Sequence, residues 1–263
     1  MLISSPQNPK IKALKKLDKS AERREQGVFV IEGMRELCLA DWAGYEITQA
    51  FICEELIVSD EVYNIGKCKL EGTEVFTITK EVYESIAYRG TTEGVIATAH
   101  PKLHSLDDLK LSADPLILVI EGVEKPGNLG AMLRTCDAVH VDAVIVCDTK
   151  TDIYNPNAIR SSIGTVFTNQ IAVASTSDVI EFVKEKGITS YAADLTATES
   201  YYQKNFAQPT AIIVGDEATG LSDEWVQAAD NRIKIPMLGR IDSLNVSVSA
   251  AVLLYEAIRQ RNA

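Results

Sequence analysis

Leu116-Ile117-Leu118-Val119-Ile120-Glu121 runs into Gly122-Val123-Glu124-Lys125-Pro126-Gly127-Asn128-Leu129-Gly130, and a helical pattern follows over about 129–139. Five consecutive apolar residues without alternation read as a strand buried on both faces, as in the interior of a parallel sheet. The pattern recurs downstream. Stretches 143–146, 170–174, 189–193 and 211–214 read as strands and 178–186 as a helix between them. Stretch 233–235 is a last short strand, and 245–261 is a helix with small residues along it. This alternation predicts an open parallel α/β sheet that binds ligands at the carboxyl ends of its strands.

Upstream the character is different. Strands are expected at 28–31, 51–58, 74–78 and 94–99, and helices at 33–43 and 80–87. The stretch 100–115 holds Pro101 and Pro115 near its ends and has no sustained period, so it reads as a linker. The expected domains are 1–105 and 106–263.

The chain has 263 residues, 46% hydrophobic and 24% charged, which excludes a disulfide-stapled miniprotein and a disordered tail. Its net charge of −11 would repel a polyanion if spread evenly. It is not spread evenly: residues 1–24 carry seven bases and two acids, a net of +5, which leaves −16 on the other 239. Ile11, Leu14 and Leu17 recur at three-residue steps within that basic stretch and predict a short helix with a cationic face. Lys10, Lys12, Lys15, Lys16, Arg23 and Arg24 are the candidate phosphate contacts, and a merely solvated helix face fits the pattern equally well.

The five cysteines are widely spaced with no CxxC, so reduced, buried thiols are expected rather than zinc ligands or disulfides. His100 and His104 are separated by Pro101, and no HExxH occurs, so no metal is expected. His140 reads as a structural residue at a helix end. No run reaches the roughly 18 apolar residues of a membrane span, and the start lacks the apolar core of a signal peptide. A cytoplasmic protein with no membrane association is expected.

Three loops at strand ends carry unusual residues. In the first, Gly127 and Gly130 allow close backbone approach at a helix start, and Asn128 and Arg134 follow on the helix; a cap plus a surface arginine would look the same. The second, Gly215-Asp216-Glu217-Ala218-Thr219-Gly220-Leu221-Ser222, matches neither GxxxxGK[ST] nor GxGxxG. Its acidic residues suit hydroxyl or amine groups better than phosphate, and Ser222 fits a helix cap. The third, 235–249, breaks a strand with Pro236 and Gly239. It then places Ser243 and Asn245 where the terminal helix begins, although capping needs only one of them.

Together the loops resemble the SpoU family of RNA ribose 2′-O-methyltransferases, the TrmH-like branch of the SPOUT class. The resemblance rests on IPMLGRIDSLNVSVSAAVLLYEAIRQR (235–261), NLGAMLRT (128–135) and VGDEATGLS (214–222). The stretches 4–37 and 90–99 resemble the substrate-binding domain of rRNA-directed members. The resemblance implies a small α/β amino-terminal RNA substrate-binding domain and an α/β-knot catalytic domain with a parallel sheet. The last helix of the catalytic domain would be threaded into a deep trefoil knot, an exception to the rule that folds avoid knots.

It also implies S-adenosylmethionine as cofactor and a homodimer with sites built from both subunits. The RNA partner would be ribosomal rather than transfer RNA, because of the extra domain. Arg134 matches the catalytic arginine, to which the family assigns help in removing the 2′-hydroxyl proton, with Asn128 beside it. Glu217, Ser243 and Asn245 match the other polar positions of the site. Gly215, Ile235 and Leu244, with Met237, Gly239 and Gly220, match the cofactor-binding positions. Glu121 and Glu124 stand where Asp is more usual. The alternatives are a tRNA 2′-O-methyltransferase, a base methyltransferase of the same class and a catalytically silent RNA-binding relative.

Overall fold

Asn8 opens the basic arm as a helix by accepting the Lys10 backbone N–H at 2.9 Å, and Pro9 supplies a first-turn residue that needs no amide partner. The computed structural model describes residues 2–57, 68, 70, 72–88, 93–102, 104–216 and 219–262. The chain forms two units, Met1–Lys102 with Asp152–Thr168, and Leu103–Thr151 with Asn169–Ala263.

The first unit runs β1 (Leu2–Ile3), α1 (Pro9–Lys16), α2 (Ser20–Gln26), β2 (Phe29–Glu32), α3 (Met34–Trp42) and β3 (Ile47–Ile52). It continues through β4 (Glu74–Ile78), α4 (Lys80–Ile86) and β5 (Val95–Ala99). Its sheet has the order β1-β4-β3-β5-β2, with β4 parallel to β1 and β3, and β5 antiparallel to β3 and β2. Ile11, Leu14 and Leu17 are buried against Phe51, Phe76 and Ile96, which confirms the apolar stripe. The strand expected at 51–58 begins earlier, at Ile47. A register shift between Ile47 and Gln49 hides its alternation, and a turn of 3₁₀ helix over Glu54–Leu56 ends it; Val58 lies outside the described residues.

The second unit begins with β6 (Leu116–Glu121), all six residues of which are buried as a strand covered on both faces requires. Then come α5 (Pro126–Val139) and β7 (Ala143–Cys147). After the excursion containing α6 (Pro156–Ser161) the chain returns through β8 (Ile171–Ala174), α7 (Thr176–Glu185), β9 (Thr189–Ala193) and β10 (Glu199–Ser200). It ends with β11 (Thr210–Val214), α8 (Asp223–Ala228), β12 (Asn231–Lys234) and α9 (Val246–Arg261). The sheet order is β10-β12-β9-β11-β6-β7-β8 and every pairing is parallel. Helix α5 starts three residues before the expected 129 because Pro126 takes its first position. The small residues Ala250 and Ala257 are fully buried in α9, which packs on α5 and β11.

The excursion belongs to the first unit, not to a continuous second domain over 106–263. Phe29 stacks on Tyr154 at 4.3 Å and on Phe167 at 5.8 Å, and the Tyr45 and Tyr154 hydroxyls lie 3.2 Å apart. Burial pushes both tyrosines above their ordinary pKa, so they stay neutral and hydrogen-bonded.

The five cysteines are thiols rather than disulfides, four buried and Cys38 half-buried, with the Cys38 and Cys68 sulfurs 2.9 Å apart. Burial raises the Cys147 thiol to about 11. His140 ends α5 in the left-handed region, φ +55°. Among the described residues no group of three or more His, Cys, Asp or Glu is placed to hold a metal, and no helix is long and apolar enough to cross a membrane.

Candidate functional site

Because the second sheet is wholly parallel, β9, β11 and β12 end on one edge, and the residues that follow them meet there. A cavity of about 330 Å³ lies at that edge, lined after β9 by Asp194–Thr196, after β11 by Gly215–Asp216 and Thr219–Leu221, and after β12 by Ile235 and Met237. Ser243, Leu244 and the start of α9 complete it. Its position follows the rule that open α/β sheets bind ligands beyond the carboxyl ends of their strands, and its size suits a small organic cofactor.

The loop after β11 turns back on itself. Asp216 pairs with Gly220, and the Gly220 N–H donates to the Asp216 carbonyl at 3.0 Å. A Cβ on Gly215 would lie 2.4 Å from the Gly220 backbone and 2.6 Å from the Leu221 nitrogen, so only glycine permits the turn. Glu121, 6% exposed, fixes the far end of the loop. Its carboxylate accepts the Ser222 N–H and Oγ–H, both at 2.7 Å, and the Thr176 hydroxyl at 2.8 Å, while Ser222 caps α8. The side chain that departs from the usual Asp thus ties β6 to the cofactor loop.

Of the expected cofactor positions, Gly215, Gly220, Ile235, Met237 and Leu244 line the cavity, whereas Gly239 is exposed and does not. Gly239 sits in the irregular stretch after β12, two residues past Met237. Residues 237–244 lie outside helix and strand and make no backbone–backbone hydrogen bond among the described residues. Their amides and carbonyls therefore remain available to an adenine or an amino-acid moiety beside the apolar Val214, Leu221, Ile233 and Leu253. The lining fits S-adenosylmethionine.

Among the expected catalytic residues, Ser243 lines the cavity. Asn245 caps α9 and donates through Nδ2 to Asn128 Oδ1 at 3.2 Å, which joins the first and third loops. Arg134 stands exposed on α5, six residues beyond Asn128, with no hydrogen-bond or ion-pair partner among the described residues. Glu217 lies outside the described residues. The loop after β9 was missed by sequence reasoning. Burial works against ionisation of Asp194, but the Thr196 N–H and the Arg232 guanidinium hold its carboxyl below the usual range. The polar Asp194-Leu195-Thr196 at a strand end was the available signal.

On the first unit, Lys12, Lys15, Lys16 and Arg24 are exposed. Lys10 is engaged, with its ammonium 3.0 Å from Glu74 and 4.6 Å from the Phe76 ring centroid. Arg23, expected among the candidate phosphate contacts, is not on the exposed face. It is 5% exposed, donates to the Leu17 and Asp18 carbonyls at 2.7 and 2.9 Å, and pairs with Asp152 at 2.7 Å. Breaking a buried pair strands its partners, so Arg23→Ala should lower stability by about 3 kcal/mol in a urea titration. It should leave the salt dependence of RNA binding unchanged.

A parallel α/β unit with a cofactor cavity at its strand ends, carrying a second unit with an exposed basic helix, defines a cofactor-dependent enzyme fused to a recognition module. Comparison gives the class its family: residues 115–255 match the SpoU rRNA Methylase family and residues 8–97 an MRM3-like substrate binding domain. The chain belongs to the SpoU rRNA methylase family.

A Bacillus subtilis relative, the 23S rRNA (guanosine(2553)-2′-O)-methyltransferase RlmP, is 29% identical over 96% of this chain and 97% of its own. A crystal structure of an RNA 2′-O ribose methyltransferase is 40% identical, covers both chains completely and superposes with a TM-score of 0.88. The AdoMet-bound rRNA methyltransferase from Sinorhizobium meliloti is 26% identical over 98% of this chain and 97% of that one, with a TM-score of 0.90.

Proposed function

We propose that the protein methylates a ribose 2′-hydroxyl of ribosomal RNA with S-adenosylmethionine as methyl donor. The observation that carries this reading is the cavity lined by Gly215, Gly220, Ile235, Met237 and Leu244, continuous in sequence with the Asn245–Asn128 contact. Similarity over nearly the full length to an enzyme named for 23S rRNA supports ribosomal over transfer RNA.

Bound there, the cofactor supplies an electrophilic methyl group on a sulfonium. Displacement at that carbon requires the 2′-oxygen in line with it, so the chain contributes mainly position. The apolar lining keeps water from the methyl group. Asn128 and Asn245 fix the first and third loops relative to each other. Glu217, which lies outside the described residues, is assigned to the polar set by the family resemblance. A guanidinium is a poor base but a good holder of phosphate and of growing negative charge, so Arg134 holds the phosphate beside the target ribose. It also stabilises the developing alkoxide as the proton leaves to water.

The amino-terminal unit, expected over 1–105 and joined by Asp152–Thr168, recognises the RNA, and the remainder of 106–263 carries out transfer, in the cytoplasm. A homodimer forms part of the proposal, supported by Leu238, which is 98% exposed, and by the exposed Ile241, Val248 and Tyr255. Sedimentation at the dimer mass is the expected result. The trefoil knot also forms part of it, supported by the insertion of β11 between β6 and β9 and by the packing of α9 on β11 and α5.

The test is transfer of labelled methyl from S-adenosylmethionine to ribosomal RNA from cells lacking the gene, followed by nuclease digestion and mass analysis of nucleosides. A 2′-O-methylated nucleoside is expected; methyl on a base, or cofactor binding without transfer, overturns the reading. Phosphate contacts release counterions, so replacing Lys12, Lys15 and Lys16 together with Gln should reduce the log–log salt slope of RNA binding by about 2. Lys10→Gln, already tied to Glu74, should change it less.

A further inference from the structure

Within the first unit, a cleft of about 230 Å³ is bordered by Lys15, Asp18, Glu32, Tyr88, Ile159 and Arg160. No role in cofactor binding or methyl transfer reaches it. Its parts come from α1, the edge strand β2, the end of α4 and α6, and therefore from both stretches of chain that make up the unit.

Tyr88 is 49% exposed yet is held in place at three points. Its hydroxyl accepts the Asn157 side-chain amide at 2.9 Å, its backbone N–H donates to Glu32 at 2.8 Å, and the Arg160 guanidinium lies 6.0 Å from its ring centroid. An aromatic ring left half in solvent, with an amide on its hydroxyl, a guanidinium near its face and its own backbone tied to a carboxylate, is a preorganised stacking platform. Buried Ile159 supplies an apolar floor, and Lys15 and Arg160 bring positive charge to the rim. The Asp18 and Glu32 carboxylates add hydrogen-bond acceptors at the same cleft.

We propose that this cleft is a subsite for one unstacked RNA nucleobase that carries an exocyclic amino group. The inference rests on the RNA-directed reading above and deepens it. Single-stranded bases are recognised by stacking on aromatic rings or guanidinium planes and by hydrogen bonds along their edges. Lys15 and Arg160 pair with the flanking phosphates. The carboxylates accept from the amino group of adenine, cytosine or guanine. Uracil lacks that donor and presents two carbonyls beside its single N–H, which two carboxylates oppose. A free nucleotide without a chain would satisfy only one phosphate contact, so the cleft selects a base within a strand.

The experiment is fluorescence anisotropy with end-labelled pentamers of oligo(A), oligo(C) and oligo(U), alongside calorimetric titration of S-adenosylmethionine into the same full-length variants. Oligo(A) and oligo(C) should bind about fivefold more tightly than oligo(U), the scale of one amino-to-carboxylate hydrogen bond. Tyr88→Ala should weaken oligo(A) binding about tenfold, the scale of a base–aromatic stack, with cofactor affinity unchanged. Tyr88→Phe keeps the ring and should retain binding, which separates stacking from folding. Glu32→Gln keeps an acceptor for the Tyr88 N–H while weakening the carboxylate, and should bring oligo(A) and oligo(U) closer together.

Equal affinity for the three pentamers, with Tyr88→Ala matching the parent protein, overturns the subsite and leaves the RNA-directed reading standing. Failure of the parent protein to bind either the pentamers or ribosomal RNA overturns both.

Discussion

Gly215→Ala is expected to weaken S-adenosylmethionine binding about 100-fold while leaving the fold in place. The new methyl would sit 2.4 Å from the Gly220 backbone and 2.6 Å from the Leu221 nitrogen. These atoms are main chain and cannot rotate away as a side chain end would. The Asp216–Gly220 pairing must open, and Leu221 and Thr219 leave their places in the cavity wall. A displacement of about 1 Å in a positioning element can cost 10²-fold, so a calorimetric affinity loss of about that size is expected. Far-ultraviolet circular dichroism should be unchanged, because Glu121 still fixes the loop at Ser222 and β11 keeps both parallel neighbours. Retained affinity would place the cofactor elsewhere.

The second large effect is at Arg134. Removal of one preorganised group that stabilises developing charge lowers turnover by about 10²–10³-fold, the loss expected for methyl transfer in Arg134→Ala. The side chain is exposed and lines no part of the cavity, so cofactor affinity should stay within about twofold of the parent, as for an ordinary surface change. Arg134→Lys keeps the charge and loses the planar fork. It should recover part of RNA affinity but little turnover if bidentate phosphate contact is what counts. Full activity in Arg134→Ala would remove the residue from the mechanism.

The features legible in the sequence are those governed by neighbours in sequence. LILVIE announced a strand buried on both faces and is fully buried. The three-residue spacing of Ile11, Leu14 and Leu17 announced α1, and Ser222 and Asn245 are caps as their positions foretold. What escaped depends on partners far along the chain. Asn128 meets Asn245 across 117 positions, and Tyr45 meets Tyr154 across 109.

Arg23 was counted with the surface charges because its sequence environment is basic. Only the geometry shows two carbonyls and a carboxylate converging on it. Glu121 likewise closes an apolar strand, and its three acceptor contacts come from segments 55 and 101 residues away. Of the six cofactor positions expected from the resemblance, Gly215, Gly220, Ile235, Met237 and Leu244 line the cavity, and Gly239 stands outside it.

The excursion over Asp152–Thr168 bears on how such a chain can be taken apart. Tyr154 and Phe167 find Phe29 and Tyr45 only after the polypeptide has already laid down β6 and β7 of the other unit. One cut near residue 103 therefore does not yield two whole pieces. The amino-terminal piece loses aromatic neighbours of Phe29, and the carboxyl-terminal piece keeps a segment that has lost its own. Exchange of recognition modules between relatives must carry a matched internal segment along with the amino terminus. The two units are thus interleaved in sequence, and a fusion joined at a single point carries neither of them whole.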